Sequence, residues 1–317
     1  MAKPIWTQQQ QPDPPNFGEA ELVSLPVLNQ EVNARQETCR KIIANTSRSG
    51  SFEKGLVSLA ILSCKRLEAL KRLCNTLMPF FRNVETYRPI EFTLVDNGSG
   101  KELLDYARSL DFFTDIVAYE KNLGMIGALR PVFPKLRGEY ILLLEDDFIV
   151  DYSKPFLANC MEIFDEYPEI GIIRLKNLNN WGKKHRRIAP LRSTSKGTEF
   201  WTWLPSGRNA DAPPAGTPEG REYDRMRKEK GLPIEGVWNG WCAGSVIFRK
   251  VSYLSTGELP VGENVTRNNP KNQGSLYEEI YGAEYNKHWL AAKMKNCYPF
   301  SQPNDEAECP GWGEVVQ

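Results

Sequence analysis

Apolar residues in this chain gather into short unbroken runs that alternate with stretches at helical spacing, and the alternation begins near residue 56. Leu56-Val57-Ser58-Leu59-Ala60-Ile61-Leu62 has the form of a buried strand, and Leu67, Leu70, Leu73 and Leu77 then recur as one face of a helix. The unit repeats. A strand over Glu91 to Val95 precedes a helix over Lys101 to Leu110, and a strand over Asp115 to Tyr119 precedes a helix over Ile126 to Leu136. Tyr140-Ile141-Leu142-Leu143-Leu144 is a fourth strand, running directly into Glu145-Asp146-Asp147. Such alternation predicts right-handed βαβ crossovers and a mostly parallel sheet covered by helices on both faces. Polar residues just after the strands then lie at the carboxyl edge of the sheet, where open α/β sheets bind ligands.

Outside this region the pattern weakens. Residues 1–50 hold Pro4, Pro12, Pro14, Pro15 and four consecutive glutamines, and read as an extended arm with one short helix near Glu37 to Ile43. Residues 51–150 form the first half of the body and 151–317 the second. Phe156 to Tyr167 predicts a helix, Ile170 to Leu175 a strand, Trp238 to Phe248 a segment containing a further strand, and Tyr277 to Lys295 a helix. Residues 176–235 show no periodicity and carry 13 Lys or Arg against 7 Asp or Glu, so they read as a long basic insertion, expected to act as a lid. Its Lys183-Lys184-His185-Arg186-Arg187 cluster would meet phosphates or an anionic acceptor, and Trp201, Trp203, Trp238 and Trp241 could stack on sugar faces.

Composition narrows the class. Forty basic and forty acidic side chains in 317 residues cancel, which argues against wholesale nucleic-acid electrostatics. With 41% apolar residues the chain can bury a large core. The N-terminal stretch is polar and no apolar run reaches spanning length, so no membrane span or secretory leader is expected and the localisation read is cytoplasmic. Seven cysteines without a CxxC pair fit reduced thiols better than a disulfide framework or zinc site.

The candidate chemistry lies at the strand ends. Three adjacent carboxylates at 145–147 repel one another unless a cation or donors sit among them. Alternation along an extended segment lets Glu145 and Asp147 share a side that suits Mg²⁺ or Mn²⁺, with phosphates and water completing the shell. Asp96-Asn97-Gly98-Ser99 places another carboxylate at the same edge, within strong turn chemistry. Asn122-Leu123-Gly124 opens a Gly-punctuated helix whose N–H groups could face a nucleotide. There is neither a P-loop nor a GxGxxG. His288, one of two histidines, could complete a metal site or orient a carboxylate.

In order, Leu62-Ser63-Cys64-Lys65-Arg66, Val95-Asp96-Asn97-Gly98-Ser99, Asn122-Leu123-Gly124 with Gly127 and Ala128, and Leu144-Glu145-Asp146-Asp147 resemble the motifs of inverting family 2 glycosyltransferases with the glycosyltransferase-A fold. The resemblance implies that Ser63, Arg66, Asp96, Asn97, Asn122, Gly124 and Asp146 contact the nucleotide, and that Glu145 and Asp147 hold Mn²⁺ or Mg²⁺ on the diphosphate. Glu145 stands where many members have Asp. Trp241-Cys242-Ala243-Gly244-Ser245 matches the family's Gly-rich strand, and Tyr281-Gly282-Ala283-Glu284 its acidic helix start. Glu284 is then the general base, with Glu278 and Glu279 as rivals. The implied reaction moves a sugar from a nucleotide-diphosphate donor, a UDP-sugar favoured, to a hydroxyl on a glycan or other acceptor, a modified nucleic acid among them. Two alternatives stand beside it: a sugar nucleotidylyltransferase, and a non-catalytic carbohydrate- or nucleic-acid-binding protein on the same frame.

Overall fold

The computed structural model describes residues 21–48, 52–176, 187–205, 213, 216–229, 241–260 and 275–302. Its elements in chain order are β1 (Glu21–Leu22), α1 (Leu25–Arg48), β2 (Glu53–Ser63), α2 (Leu67–Asn83), β3 (Ile90–Asn97), α3 (Lys101–Ser109), β4 (Asp115–Tyr119), α4 (Gly124–Leu129), β5 (Gly138–Glu145), β6 (Ile149–Val150), α5 (Leu157–Glu166) and β7 (Ile170–Arg174). They continue through β8 (Arg187–Ile188), β9 (Arg192–Ser193), β10 (Glu199–Leu204), α6 (Pro218–Glu229), β11 (Val246–Arg249), α7 (Lys250–Thr256), α8 (Ser275–Tyr285), β12 (Leu290–Met294) and β13 (Phe300–Ser301).

One sheet organises the described residues, in the order β1-β8-β10-β12-β7-β11-β5-β2-β3-β4, with β9 on β10. The four strands expected from the first half, β5, β2, β3 and β4, are parallel neighbours. The last eight residues of β2 are all buried because helices cover both of its faces. Alternate side chains sort to opposite sides: Leu59 and Ile61 pack with Leu70, Leu73 and Leu77 of α2, whereas Ala60 and Leu62 pack with Leu129 and Phe133 beyond α4. Next to β5, the antiparallel β11 joins this parallel block to β7, and β12 lies parallel to β7. A small second sheet pairs Phe300 and Ser301 of β13 with Val150 and Ile149 of β6.

Three expectations change. The helix near Glu37 to Ile43 extends over Leu25–Arg48. Its only fully buried side chains are widely spaced (Leu28, Val32, Cys39), so its periodicity is faint, and tertiary ties such as Arg187 to Glu31 at 2.8 Å help to hold it. The stretch read as an aperiodic insertion contains β10, with Phe200 to Leu204 all buried within the sheet. Burial on both faces removed the alternation that marks a strand. The helix expected over Tyr277 to Lys295 stops at Tyr285, and Leu290–Met294 is strand β12. Ala291 and Ala292 are strong helix formers, but here they lie opposite Trp203 and Thr202 of β10, and strand pairing overrides their local preference.

No helix among the described residues is long and apolar enough to cross a membrane.

Candidate active site at the carboxyl edge of the sheet

The loops after β2, β3 and β4 are wired to one another and to the turn after β5. Ser63 Oγ donates to Asp146 Oδ2 at 2.7 Å, and the Asp146 N–H reaches Leu62 O at 3.1 Å. Arg66, just before α2, makes an ion pair with Asp146 and reaches Asp147 Oδ2 at 3.4 Å. Asp146 is fully buried. Burial pushes its carboxyl up to about 6, while Arg66 and Ser63 pull the other way. The triplet is therefore split as alternation requires: Asp146 turns inward to Ser63 and Arg66, and Asp147 remains partly exposed.

Asp96 is also buried, which raises its carboxyl above the ordinary range. Both of its oxygens lie 3.2 Å from the Ser99 N–H, and Ser99 Oγ in turn accepts from Lys65 N–H at 2.8 Å, tying the second loop to the first. Asn97 Nδ2 donates to Asn122 Oδ1 at 2.8 Å, Asn97 Oδ1 accepts from Leu123 N–H at 2.8 Å, and Asn122 Oδ1 accepts from Gly124 N–H at 2.8 Å. The Asn97 and Asn122 amides thus join the second and third loops. Gly98 makes this junction sterically possible: at φ +80 a Cβ would sit 2.5 Å from the Lys121 carbonyl carbon. Gly98→Ala is expected to lower stability by about 2 kcal/mol or more, because strain and a backbone clash add there. Denaturant midpoints of the two proteins check this; equal midpoints would contradict the close approach.

The second half closes the site from across β11. Gly244 (φ +81) abuts Glu145, whose Oε1 would be only 2.7 Å from an added Cβ. Ser245 follows with φ 51, and its buried hydroxyl has no hydrogen-bond partner among the described residues. Lys65 at the first loop also has a positive φ of 56, so two of the three described non-glycine residues in that region of backbone space line this edge. Strain of this kind persists where surrounding structure enforces it and is concentrated at functional sites. Gln302, the residue after β13, donates from Nε2 to Asp147 Oδ2 at 3.2 Å. The other oxygen, Asp147 Oδ1, is buried and meets no partner among the described residues.

That open oxygen fits a small divalent cation that draws its remaining ligands from phosphate and water. Asp147 is the direct contact the residues suit best, with Glu145 beside it against Gly244. Among the described residues no cluster of three or more His, Cys, Asp or Glu forms a cage of its own.

Ser63, Arg66, Asp96, Asn97, Asn122, Gly124, Glu145, Asp146 and Asp147 thus come together at one edge. Glu284 and His288 do not. β12 begins at Leu290, opposite Ile170 at the amino end of β7, whereas Val246 beside Leu143 faces Arg174 at the carboxyl end. The last turn of α8 and the turn after it are therefore at the opposite edge from Asp147. Glu284 is exposed and paired with Lys287 at 2.5 Å. His288 lines a cleft of about 560 Å³ with Arg35 and Glu31 of α1, and its carbonyl accepts from Cys39 Sγ at 3.3 Å. His288 departs because the helix ends at Tyr285 instead of Lys295, and Glu284 departs because the stretch matched to the family's helix start lies at the end of a helix that begins at Ser275. Glu278 and Glu279 occupy the earlier part of α8.

The tryptophans expected to stack on sugars are packed inside. Trp201 and Trp203 are buried in β10, with Arg174 4.6 Å over the Trp203 ring, and Trp241 is buried edge-on to Tyr281 at 5.2 Å. Trp238 and residues 183–186 of the basic cluster lie outside the described residues. Several cations of the insertion are neutralised locally: Arg187 by Glu31, Arg192 by Glu169, Lys196 by Glu162, and Arg225 by Glu222 and Glu229. Sequence reasoning missed the role of Gln302, which carries no motif and arrives only through the β13–β6 pairing.

A central sheet with a parallel block β5-β2-β3-β4, whose carboxyl edge gathers Asp96 at the end of β3 and an acidic triplet at the end of β5, is the arrangement of a glycosyltransferase-A type fold. The model of the family described as glycosyl transferase family 2 matches residues 58–219, just over half of the chain, and the chain belongs to that family. Among solved structures, S. aureus TarS 1-349 is similar at 14% identity over 77% of this chain and 59% of that one, with a TM-score of 0.45. The same protein in complex with UDP-GlcNAc is similar at 13% identity over 81% of this chain and 61% of that one, also at 0.45. The chain thus spans about three fifths of those structures. No curated protein matches the sequence.

Proposed function

We propose that the chain transfers a sugar from a nucleotide-diphosphate donor to an acceptor hydroxyl, with a divalent cation at Asp147 and inversion at the anomeric carbon. The observation that carries this reading is the convergence of Asp96, Asp146 and Asp147 on one sheet edge with a buried carboxylate oxygen of Asp147 left open. In this reading Asp96 accepts hydrogen bonds from the base or ribose. Ser63 and Arg66 fix the triplet turn through Asp146, and Arg66 also offsets the repulsion between Asp146 and Asp147. A divalent cation bound there would supply a counter-charge for the departing diphosphate.

Inversion calls for a base on the side opposite the leaving group. Because Glu284 is at the far edge, we assign that role to the earlier carboxylates of α8, with Glu279 as first candidate and Glu278 as second. They stand five and six residues before Glu284, about 8 Å closer to the carboxyl edge along the helix. A UDP-sugar is the donor form the family resemblance implies, and a glycan or other hydroxyl compound is the acceptor class. The local pairing of Arg187, Arg192, Lys196 and Arg225 gives a nucleic-acid acceptor no added support.

The test is donor hydrolysis across a panel of nucleotide sugars with and without Mn²⁺, together with binding of the matching nucleosides. A metal-stimulated turnover of one donor is expected. Asp96→Ala should weaken nucleoside binding by about tenfold even without metal, the worth of one charge-assisted hydrogen bond. An effect of Asp96→Ala seen only with metal present would remove Asp96 from the base and ribose.

A further inference from the structure

One cation at the triplet turn has no role in this reading. Lys176 lies two residues beyond β7 and forms a β-bridge with Phe300, which places it between the sheet edge and the C-terminal strand. Its ammonium is 5.5 Å over the ring of Phe148, the residue after Asp147, and donates to Gln302 Oε1 at 2.9 Å. Gln302 Nε2 then donates to Asp147 Oδ2 at 3.2 Å. The three groups form a directed chain of ammonium, amide and carboxylate. Reversing the Gln302 amide would set its N–H₂ against the ammonium and its oxygen against the carboxylate, so both ends fix one orientation.

The partners of Lys176 are the unusual part. Among the described residues it meets a neutral amide oxygen and a ring face, and no carboxylate. Among the described residues the cation shown in direct contact with the triplet is Arg66, which is already committed to Asp146 and Asp147. An ammonium has three donors, and the chain to Gln302 uses one of them. We infer that Lys176 binds the diphosphate of the donor, and that Gln302 is a positioning residue holding Lys176 in register with Asp147. This rests on the donor reading and adds to it a protein cation linked to Asp147 through Gln302. Lys176 and Asp147 would then address the same diphosphate from two sides, the first by direct charge and the second through the bound ion. Gln302 also makes the β13–β6 pairing part of the donor site, so residues near the end of the chain bear on a pocket built mainly from its first half.

The experiment uses the full chain and calorimetric titration with UDP, GDP, ADP, CDP and dTDP in the presence of Mn²⁺, taking the tightest of the five forward with its nucleoside. Lys176→Met keeps length and removes charge. It should weaken the diphosphate by about ten- to a hundredfold, the range for a hydrogen bond to a charged group, and leave the nucleoside unchanged. Lys176→Arg should recover most of the loss. Gln302→Leu should weaken the diphosphate by a smaller factor, and combining it with Lys176→Met should add less than the two single effects, as groups acting in one chain require. Unchanged diphosphate affinity in Lys176→Met overturns the inference, as does an equal loss for diphosphate and nucleoside. Fully additive effects overturn the positioning role of Gln302. If the wild type binds none of the five, the donor reading falls and the inference with it; if it binds one and Lys176→Met binds equally, only the inference falls.

Discussion

Asp147→Asn is expected to abolish the Mn²⁺-dependent part of nucleoside-diphosphate binding and to lower sugar transfer by about 10² to 10³, while the protein remains folded. Asparagine keeps the size and the ability to accept from Gln302 and Arg66, but it removes the negative charge a divalent cation needs. The side chain is at the sheet edge with 15% exposure, outside both apolar clusters, so the loss falls on binding more than on the core. Several kcal/mol of charge stabilisation correspond to this range of rate at 1.36 kcal/mol per tenfold. Titration of the diphosphate with and without Mn²⁺, alongside a thermal unfolding curve, separates the effects. The variant should show one affinity in both conditions, matching the metal-free wild type. A preserved metal response would take Asp147 out of the metal site and return attention to Glu145. Asp146→Asn is the informative contrast, because Asp146 is turned inward to Ser63 and Arg66 and its replacement bears first on the shape of the turn.

The two halves of the chain differ in how much of this could be read from sequence, and the difference has a physical origin. In the first half each strand is a short apolar run, each crossover helix shows its own spacing, and the polar residues that matter follow directly after the strands. Local pattern and tertiary placement agree there, so Asp96, Asn122 and the triplet are put at the sheet edge by their position after the strands, and Ser63 is singled out by the family resemblance. In the second half tertiary context overrides local preference. Thr202 and Trp203 of β10 pair with Ala292 and Ala291 of β12, a partnership that is visible only once the strands are paired. Ala291 and Ala292, read alone, extend the preceding helix and put His288 on it, whereas Glu284 is brought toward the site only by the family resemblance, whose helix start here lies at a helix end. Gly244 was legible as part of a Gly-rich strand start, though its contact with Glu145 depends on β11 lying beside β5. Lys176 and Gln302 are 126 residues apart and belong to no motif, so their hydrogen bond is purely a product of the fold.

The reassignment of the general base follows from the same helix boundary and leads to the second large effect. With α8 ending at Tyr285 and β12 starting at the amino edge, a carboxylate can reach an acceptor at the carboxyl edge only from the earlier turns of the helix. Tyr281 supports this direction: its ring meets Trp241, three residues before Gly244, while Tyr285 farther along bonds Ser252 of α7 at 2.8 Å and abuts Gly171 near the start of β7. The helix therefore descends from the site toward the far edge, and Glu284 is on its distal side with Lys287 as partner. Glu284→Gln should leave transfer within about twofold of wild type, the usual outcome for an exposed surface pair. Glu279→Gln should keep nucleotide-sugar affinity and lose about 10² to 10⁴ in transfer rate, the range for removing a general base. Single-turnover transfer beside donor titration distinguishes loss of the base from loss of binding. Should Glu278→Gln instead be the inactive variant, the base moves one residue and the geometry of the argument stands. A slow Glu284→Gln with normal donor affinity would contradict it, because no acceptor at the carboxyl edge could be reached by that side chain from the opposite end of the sheet.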